Sequence, residues 1–199
     1  MDRQALEKLD DIVARHDSFI HVTHVNPDAD GLGSALAMHR WLRSKGKRSE
    51  VVVPSPVPRK IAFLVQPGEV RVVADASTLP RDAVYVMYDV ANVSRLGAVA
   101  AAVRASERPL VVFDHHDGAM EVEAVAIVEE GAGATAQVVF DVLVRWGAEI
   151  TLDLAIPLYV AIVADTGSFN YGKTTPHTHD VAARLLRAGV DPLAIHGQL

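Results

Sequence analysis

Leu6, Leu9, Ile12 and Val13 recur at helical spacing among the charges of the first sixteen residues, so an amphipathic helix opens the chain. The period changes at Ser18, because residues 19–22 are short, apolar and β-branched, the pattern of a strand buried on both faces of a parallel sheet. A polar stretch follows, and then Leu32, Leu36, Met38, Trp41 and Leu42 mark a helix that stops at Gly46. Arg40, Arg43, Lys45 and Lys47 lie toward its end, where the helix dipole favours cations. Further strands are predicted over 51–53, 83–88, 109–113 and 122–128, with a short edge strand over 70–74. Helices are predicted over 59–65 (a weak one), 96–105, 134–146, 152–164 and 176–188, and a short one begins at Asp191-Pro192. The apolar stripe of the 134–146 helix is Val138, Val139, Val142 and Leu143. Strands alternating with helices predict an α/β fold with a doubly wound, mostly parallel sheet flanked by helices.

Composition narrows the class. Half of the 199 residues are hydrophobic, enough for one large domain or two small ones. The N-terminus lacks the continuous apolar core of a signal peptide. The longest apolar run, 154–164, is interrupted by Pro157 and falls far short of the ~20 residues that span a bilayer, so it reads as a buried helix. The chain has no cysteine, which excludes disulfides, thiolate catalysis and zinc-thiolate sites and suits a reducing cytoplasm. Any metal must therefore be held by oxygen and imidazole. A formal charge of −6 argues against gripping long nucleic acid by phosphate neutralisation. Two divalent cations held among aspartates would cancel most of that charge and focus positive potential in one cleft, which suits a small anionic substrate.

Three predicted strands run straight into residues that bind metals. The first leads into residues 24–34, His-Val-Asn-Pro-Asp-Ala-Asp-Gly-Leu-Gly-Ser, which contain His24, Asp28 and Asp30. The strand over 83–88 ends in Asp89, and the strand over 109–113 ends in Asp114-His115-His116. An aspartate after a strand is often only a helix cap, but three such ends, with Asp165 closing the 152–164 helix, favour a metal centre. Ligands of open parallel sheets gather beyond the carboxyl ends of the strands. Carboxylates and imidazoles suit Mn²⁺ or Mg²⁺, and the imidazoles favour Mn²⁺. Two such ions ~3.5–4 Å apart share a bridging carboxylate, activate water and clamp a phosphoryl group. The remaining candidates carry less. His177 and His179 read as solvated, and His16, His21, His39 and His196 have no partner in the pattern. Trp41, Trp146 and Tyr159 fall on apolar helix faces and read as core, and residues 131–133 read as a turn rather than a phosphate loop.

These motifs, in this order, resemble the DHH phosphoesterase family, named for the tripeptide present here as Asp114-His115-His116. The resemblance covers nearly the whole chain and points to the branch of nanoRNases and 3′-phosphoadenosine 5′-phosphate phosphatases. It is related to cyclic-di-AMP phosphodiesterases and more distantly to family II pyrophosphatases. The resemblance implies two Mn²⁺, with Mg²⁺ or Co²⁺ as substitutes. His24, Asp28 and Asp89 would hold one, and Asp30, Asp89, His115 and Asp165 the other, with Asp89 as the bridge. His116 is expected to face the substrate phosphate and Asp114 to orient the histidines, so Asp89, Asp114, His115 and His116 form the catalytic set. Substrate contacts are expected from His116, Arg95, Asn26, Gly31 and Ser168; for Arg95, phosphate binding and a structural salt bridge both stand open.

The activity implied is Mn²⁺-dependent hydrolysis of short oligonucleotides or 3′-phosphorylated nucleotides by a metal-bridged hydroxide. The setting is cytoplasmic, without long nucleic acid or membrane partners, and a homodimer is compatible with it. A cyclic-dinucleotide phosphodiesterase and a pyrophosphatase or exopolyphosphatase-like hydrolase are the enzymatic alternatives. A non-catalytic nucleotide-binding or oligomerisation module predicts decay of a metal ligand, which the sequence lacks. Two departures from the family stand out. Thr135-Ala136-Gln137 has Gln where glutamate is usual, and Asn170 in Gly167-Ser168-Phe169-Asn170-Tyr171 stands where many members have arginine, which weakens contact with a second phosphate or nucleotide. Family members of this branch carry a second, C-terminal DHHA1-type domain with a glycine-histidine-rich motif. No Gly-Gly-Gly-His-like stretch occurs here, so residues 1–199 are expected to form the catalytic domain alone, either a dissected domain or a natural short form. Metal binding is then expected to persist while turnover is slow and discrimination weak.

Overall fold

The computed structural model describes residues 1–118 and 120–198, so the expected domain end at Leu199 lies outside the described residues. The amphipathic start folds as α1 (Arg3–Arg15), with the Asp2 carboxylate accepting the Gln4 N–H and Leu9 and Ile12 buried. β1 (Ser18–Val22), α2 (Ala29–Ser44) and β2 (Arg48–Val53) follow. α2 begins at Ala29 rather than near Leu32, because Asp28 accepts a 2.9 Å hydrogen bond from the Gly31 N–H and caps the first turn there. The weak helix over 59–65 is a 3₁₀ helix, Arg59–Leu64, and it is followed by the edge strand β3 (Val70–Val72) and by β4 (Val84–Tyr88).

The predicted helix over 96–105 is broken. A 3₁₀ segment, Val93–Val99, kinks at Gly97 (φ 52°, ψ −128°) before a short α3 (Ala100–Arg104). Gly97 lies against the first ligand turn, where a Cβ would come within 2.9 Å of Val25 Cγ2, so only glycine serves. Then come β5 (Leu110–Asp114), β6 (Val125–Val128), α4 (Thr135–Arg145), α5 (Leu152–Asp165), α6 (Pro176–Arg187) and α7 (Pro192–His196). The strand predicted over 122–128 is ordered as a strand only from Val125, which pairs with Val111; Pro109, just before β5, has no N–H with which to extend the ladder.

The six strands form one sheet in the order β3-β2-β1-β4-β5-β6, and every pair is parallel. Strand order reverses between β1 and β4, so the crevice of this doubly wound sheet opens where those two strands end. Alternation along the strands sends Phe19, Val51, Val86, Tyr88 and Phe113 to the face covered by α1, α2, α4 and α5. Ile20, Val52, Met87 and Val112 go to the opposite face, under Leu79, Leu96, Val99 and Val103. Among the described residues no helix is long and apolar enough to cross a membrane. Trp41 and Trp146 stack at 4.7 Å, as core packing requires.

α2 and α5 are packed against each other at Gly33, where a Cβ would lie 2.4 Å from the Pro157 carbonyl. Pro157 has no N–H for the carbonyl one turn earlier, and the Arg40 guanidinium supplies the missing donor, Nη1 to Asp153 O at 2.8 Å. His21 and His39, which the sequence leaves without partners, share one buried chain. Tyr88 Oη lies 2.7 Å from His21 Nδ1, His21 Nε2 2.8 Å from Ser49 Oγ, and Ser49 Oγ 2.9 Å from His39 Nδ1. Among the described residues His21 is the one hydrogen-bond partner of the Tyr88 hydroxyl, so Tyr88 donates to His21, His21 to Ser49 and Ser49 to His39. Burial holds both imidazoles below their ordinary range and therefore neutral.

Candidate metal centre

The reversal of strand order brings the ends of β1 and β4 together, and with them His24 and Asp89. Asp89 stands at φ 57° and donates its N–H to Phe113 O at 3.0 Å, which turns its carboxylate out of the strand path. Its two oxygens face two different histidines: Oδ2 is 3.6 Å from His24 Nε2, and Oδ1 is 3.6 Å from His115 Nε2. Thr135 Oγ1 donates to Asp89 Oδ1 at 3.2 Å. Three groups of side chains have potential ligand atoms within 4.8 Å of one another: His24, Asp28 and Asp89; Asp30, His115 and Asp165; and Asp89, His115 and His116.

Both inner histidines are oriented from behind. His24 Nδ1 lies 2.9 Å from Val25 O and His115 Nδ1 lies 3.1 Å from Ala132 O, so each Nδ1–H donates to a carbonyl and each Nε2 turns to the carboxylates. His24 Nε2 is 3.3 Å from Asp28 Oδ2, and His115 Nε2 is 3.2 Å from Asp165 Oδ2. Neither contact has the alignment of a hydrogen bond, and both Nε2 atoms are buried without a hydrogen-bond partner among the described residues. Buried imidazole nitrogens converging with carboxylate oxygens fit a divalent cation better than any partner the protein supplies.

The carboxylates differ in environment. Asp30 is 1% exposed and accepts the N–H groups of Thr135 (2.7 Å) and Ala136 (2.9 Å) at the start of α4. Burial, with Asp89 and Asp165 nearby, still pushes its carboxyl well above the usual range. Asp165, the last residue of α5, is also raised, by burial first and by the charges of Asp89 and Asp28, against the opposing pull of His115. A helix C-terminus is itself unfavourable for a carboxylate. Burial acts to raise Asp28, yet the His24 imidazole and the Gly31 N–H outweigh it and hold Asp28 below its ordinary value. The carboxylates of Asp28 and Asp89 raise His24 to about 10. Without a cation the cluster thus holds protons that a metal would displace.

Asp114 Oδ1 accepts the N–H groups of His115 (2.7 Å) and His116 (3.1 Å) and lies 2.8 Å from His116 Nδ1. That leaves Nε2 as the free edge of the half-exposed His116 ring. The other expected substrate contacts lie around this centre. Gly31 sits so close to it that a Cβ would lie 2.1 Å from Thr23 Oγ1 and 3.5 Å from Asp89 Cβ. Asn26 (φ 56°) is exposed and donates its N–H to Ser55 Oγ at 2.8 Å. Arg95 is exposed and joined to the first ligand turn through its carbonyl, which accepts the Val25 N–H at 2.8 Å; among the described residues no carboxylate pairs with its guanidinium. Ser168 (φ 57°) is exposed on the turn after α5. No hydrogen bond joins the side chains of Asn26, Arg95 or Ser168 to the six candidate ligands among the described residues.

His177 pairs with Asp141 at 2.9 Å on the surface, and His179 stacks on Phe169. Gln137 does not reach the ligands; its Oε1 accepts from Thr178 Oγ1 at 2.9 Å. Sequence reasoning missed Thr135 as the partner of Asp89, and also Thr23, whose hydroxyl donates to Tyr88 O at 3.0 Å. The only signal for Thr135 was its place in the Thr135-Ala136-Gln137 motif. Asp28, Asp30 and Asp165 border a cavity of about 240 Å³ that Lys60 also lines. A cavity of about 720 Å³ lies at the amino ends of β5 and β6, the wrong end of the strands for these ligands.

Residues 18–162 match the DHH family, N-terminal domain; the match stops short of Asp165, whose place in the cluster rests on geometry. The bifunctional oligoribonuclease and PAP phosphatase NrnA of Thermus thermophilus is 36% identical over 168 residues, covering 84% of this chain and 49% of the relative. The chain therefore spans about half the length of that relative. Among solved structures, an exopolyphosphatase-related protein from Bacteroides fragilis superposes with a TM-score of 0.91 at 23% identity, covering 99% of this chain and 60% of the other. Exonuclease RecJ bound to manganese superposes at 0.57 with 16% identity, covering 93% of this chain and 47% of the other.

Proposed function

The chain belongs to the DHH family, and from that premise we propose that it is a metal-dependent phosphoesterase that hydrolyses short oligonucleotides or 3′-phosphorylated nucleotides. The observation that carries the reading is the pair of triads, His24/Asp28/Asp89 and Asp30/His115/Asp165, with one oxygen of Asp89 facing each histidine. His24, Asp28 and Asp89 would hold one divalent cation, and Asp30, Asp89, His115 and Asp165 the other. Mn²⁺ suits the mixed nitrogen and oxygen donors, and a solved RecJ structure contains manganese. Such a pair supplies Lewis-acid activation of water and neutralises charge on the phosphoryl group.

The protein's own groups do the rest. The carbonyls of Val25 and Ala132 fix the tautomers of His24 and His115, and Thr135 holds the Asp89 oxygen that faces His115. Asp114 holds His116 by Nδ1, so Nε2 is the ring nitrogen turned toward a substrate phosphate. Arg95, Asn26, Gly31 and Ser168 form the surrounding surface for the nucleotide, with Arg95 as a phosphate cation because no carboxylate claims it among the described residues. The names of the Thermus relative support nucleotide substrates over pyrophosphate or polyphosphate.

The test is metal-stripped protein restored with Mn²⁺ and offered a dinucleotide, 3′-phosphoadenosine 5′-phosphate, cyclic-di-AMP and pyrophosphate. Hydrolysis of the first two is expected. No hydrolysis of any of the four, with Mn²⁺ bound, overturns the reading.

A further inference from the structure

The turn between α5 and α6 carries Gly167, Ser168 and Phe169 at φ 56°, 57° and 65°, and it folds back toward the segment that follows β5. There Lys173 Nζ donates to the main-chain carbonyl of His115 at 3.0 Å, across a sequence separation of 58 residues. The only carboxylate within 4.0 Å of this ammonium among the described residues is Asp117, at 3.9 Å, and both side chains are well exposed. A pair that long and that solvated neutralises little. The ammonium is thus anchored by a neutral carbonyl and keeps its charge and its other N–H donors free, on the rim beside His115 and His116.

The charge balance of the centre gives that placement a use. The four candidate ligand carboxylates, Asp28, Asp30, Asp89 and Asp165, offset two divalent cations, so the loaded centre has no surplus positive charge for a second anionic group. That attraction has to come from side chains around it. Lys60 shares its cavity with three of those carboxylates, whereas Lys173 stands clear of them.

Building on the phosphoesterase reading, we propose that Lys173 binds the phosphate that is not hydrolysed and so selects substrates with a second phosphate over simple monoesters. Lysine suits this role as a mobile point charge. The test compares adenosine 3′,5′-bisphosphate with adenosine 3′-monophosphate on Mn²⁺-loaded full chain, in the wild type, Lys173→Ala and Lys173→Arg. Lys173→Ala is expected to lower the preference for the bisphosphate, as a ratio of kcat/KM, about tenfold and through KM, and Lys173→Arg to recover most of it. Equilibrium titration with AMP and with adenosine reads the same contact without turnover: the wild type binds AMP more tightly, and Lys173→Ala removes the difference. Equal losses on both nucleotides together with weaker Mn²⁺ binding overturn the proposal, since Lys173 would then only brace the His115 segment. An AMP affinity unaffected by Lys173→Ala overturns it as well. A wild type that binds Mn²⁺ but hydrolyses neither nucleotide refutes the phosphoesterase reading, and the AMP titration still decides the role of Lys173.

Discussion

At φ 57° Asp89 occupies the left-handed region, where its own β-carbon is crowded, and the contacts that hold it there are specific. The Phe113 carbonyl accepts its N–H, and the Thr135 hydroxyl donates to one of its carboxylate oxygens. Thr135→Val removes that hydroxyl at nearly constant volume and leaves the fold intact; Mn²⁺ affinity, measured by titration calorimetry, is expected to fall about 10- to 100-fold. His24 makes a second prediction through its protonation. Its value in the folded protein is about 10 against an ordinary 6.5, so its contribution to metal-free stability is complete below pH 6.5 and is lost as pH rises through about 10. Asp30 and Asp165 are raised too, so the folded state holds their protons more tightly than the unfolded chain and ionising them also costs stability. Asp28 is lowered; its contribution disappears only in acid. The melting temperature of metal-free protein is therefore expected to fall from pH 6.5 to 10, and Mn²⁺ to reduce that fall by taking the place of the protons. Parallel pH profiles with and without Mn²⁺ would contradict this assignment of the cluster.

Among the elements, α2 and α5 set the spacing of the centre, since α2 carries Asp30 in its first turn and α5 carries Asp165 at its last residue. Their contact at Gly33 leaves no room for a methyl group against the Pro157 carbonyl, which is backbone and cannot swing away. Gly33→Ala is expected to cost ~1–3 kcal/mol in denaturant unfolding and to weaken Mn²⁺ binding by parting Asp30 from Asp165; unaltered stability would refute the close contact. Most elements were legible in the sequence, because β-branched runs such as 84–88 alternate with amphipathic stretches closed by Gly or Pro. The kink at Gly97 was not legible. It follows from the packing of Val25 and Pro54, distant in sequence, whereas the alanines of 98–102 read locally as helix. The proximity of His24, Asp28 and Asp30 was legible because they share one turn. The link from Thr135 to Asp89 and the chain from Tyr88 through His21 and Ser49 to His39 were not, because each joins residues that only the sheet register and helix packing bring together.

For the molecule as a whole, the order β3-β2-β1-β4-β5-β6 sends the chain first to one side of β1 and then to the other, and every candidate ligand falls beside the resulting crevice. The floor of the centre is buried at His24, Asp30, Asp89 and His115, while Asp28, Asp165 and His116 leave it open to substrate. That this cluster holds two cations bridged by Asp89 is checked by anomalous diffraction from crystals grown with Mn²⁺. Two peaks ~3.5–4 Å apart are expected, one among His24, Asp28 and Asp89 and the other among Asp30, His115 and Asp165, with Asp89 in contact with both. A single peak, or peaks away from Asp89, would contradict it.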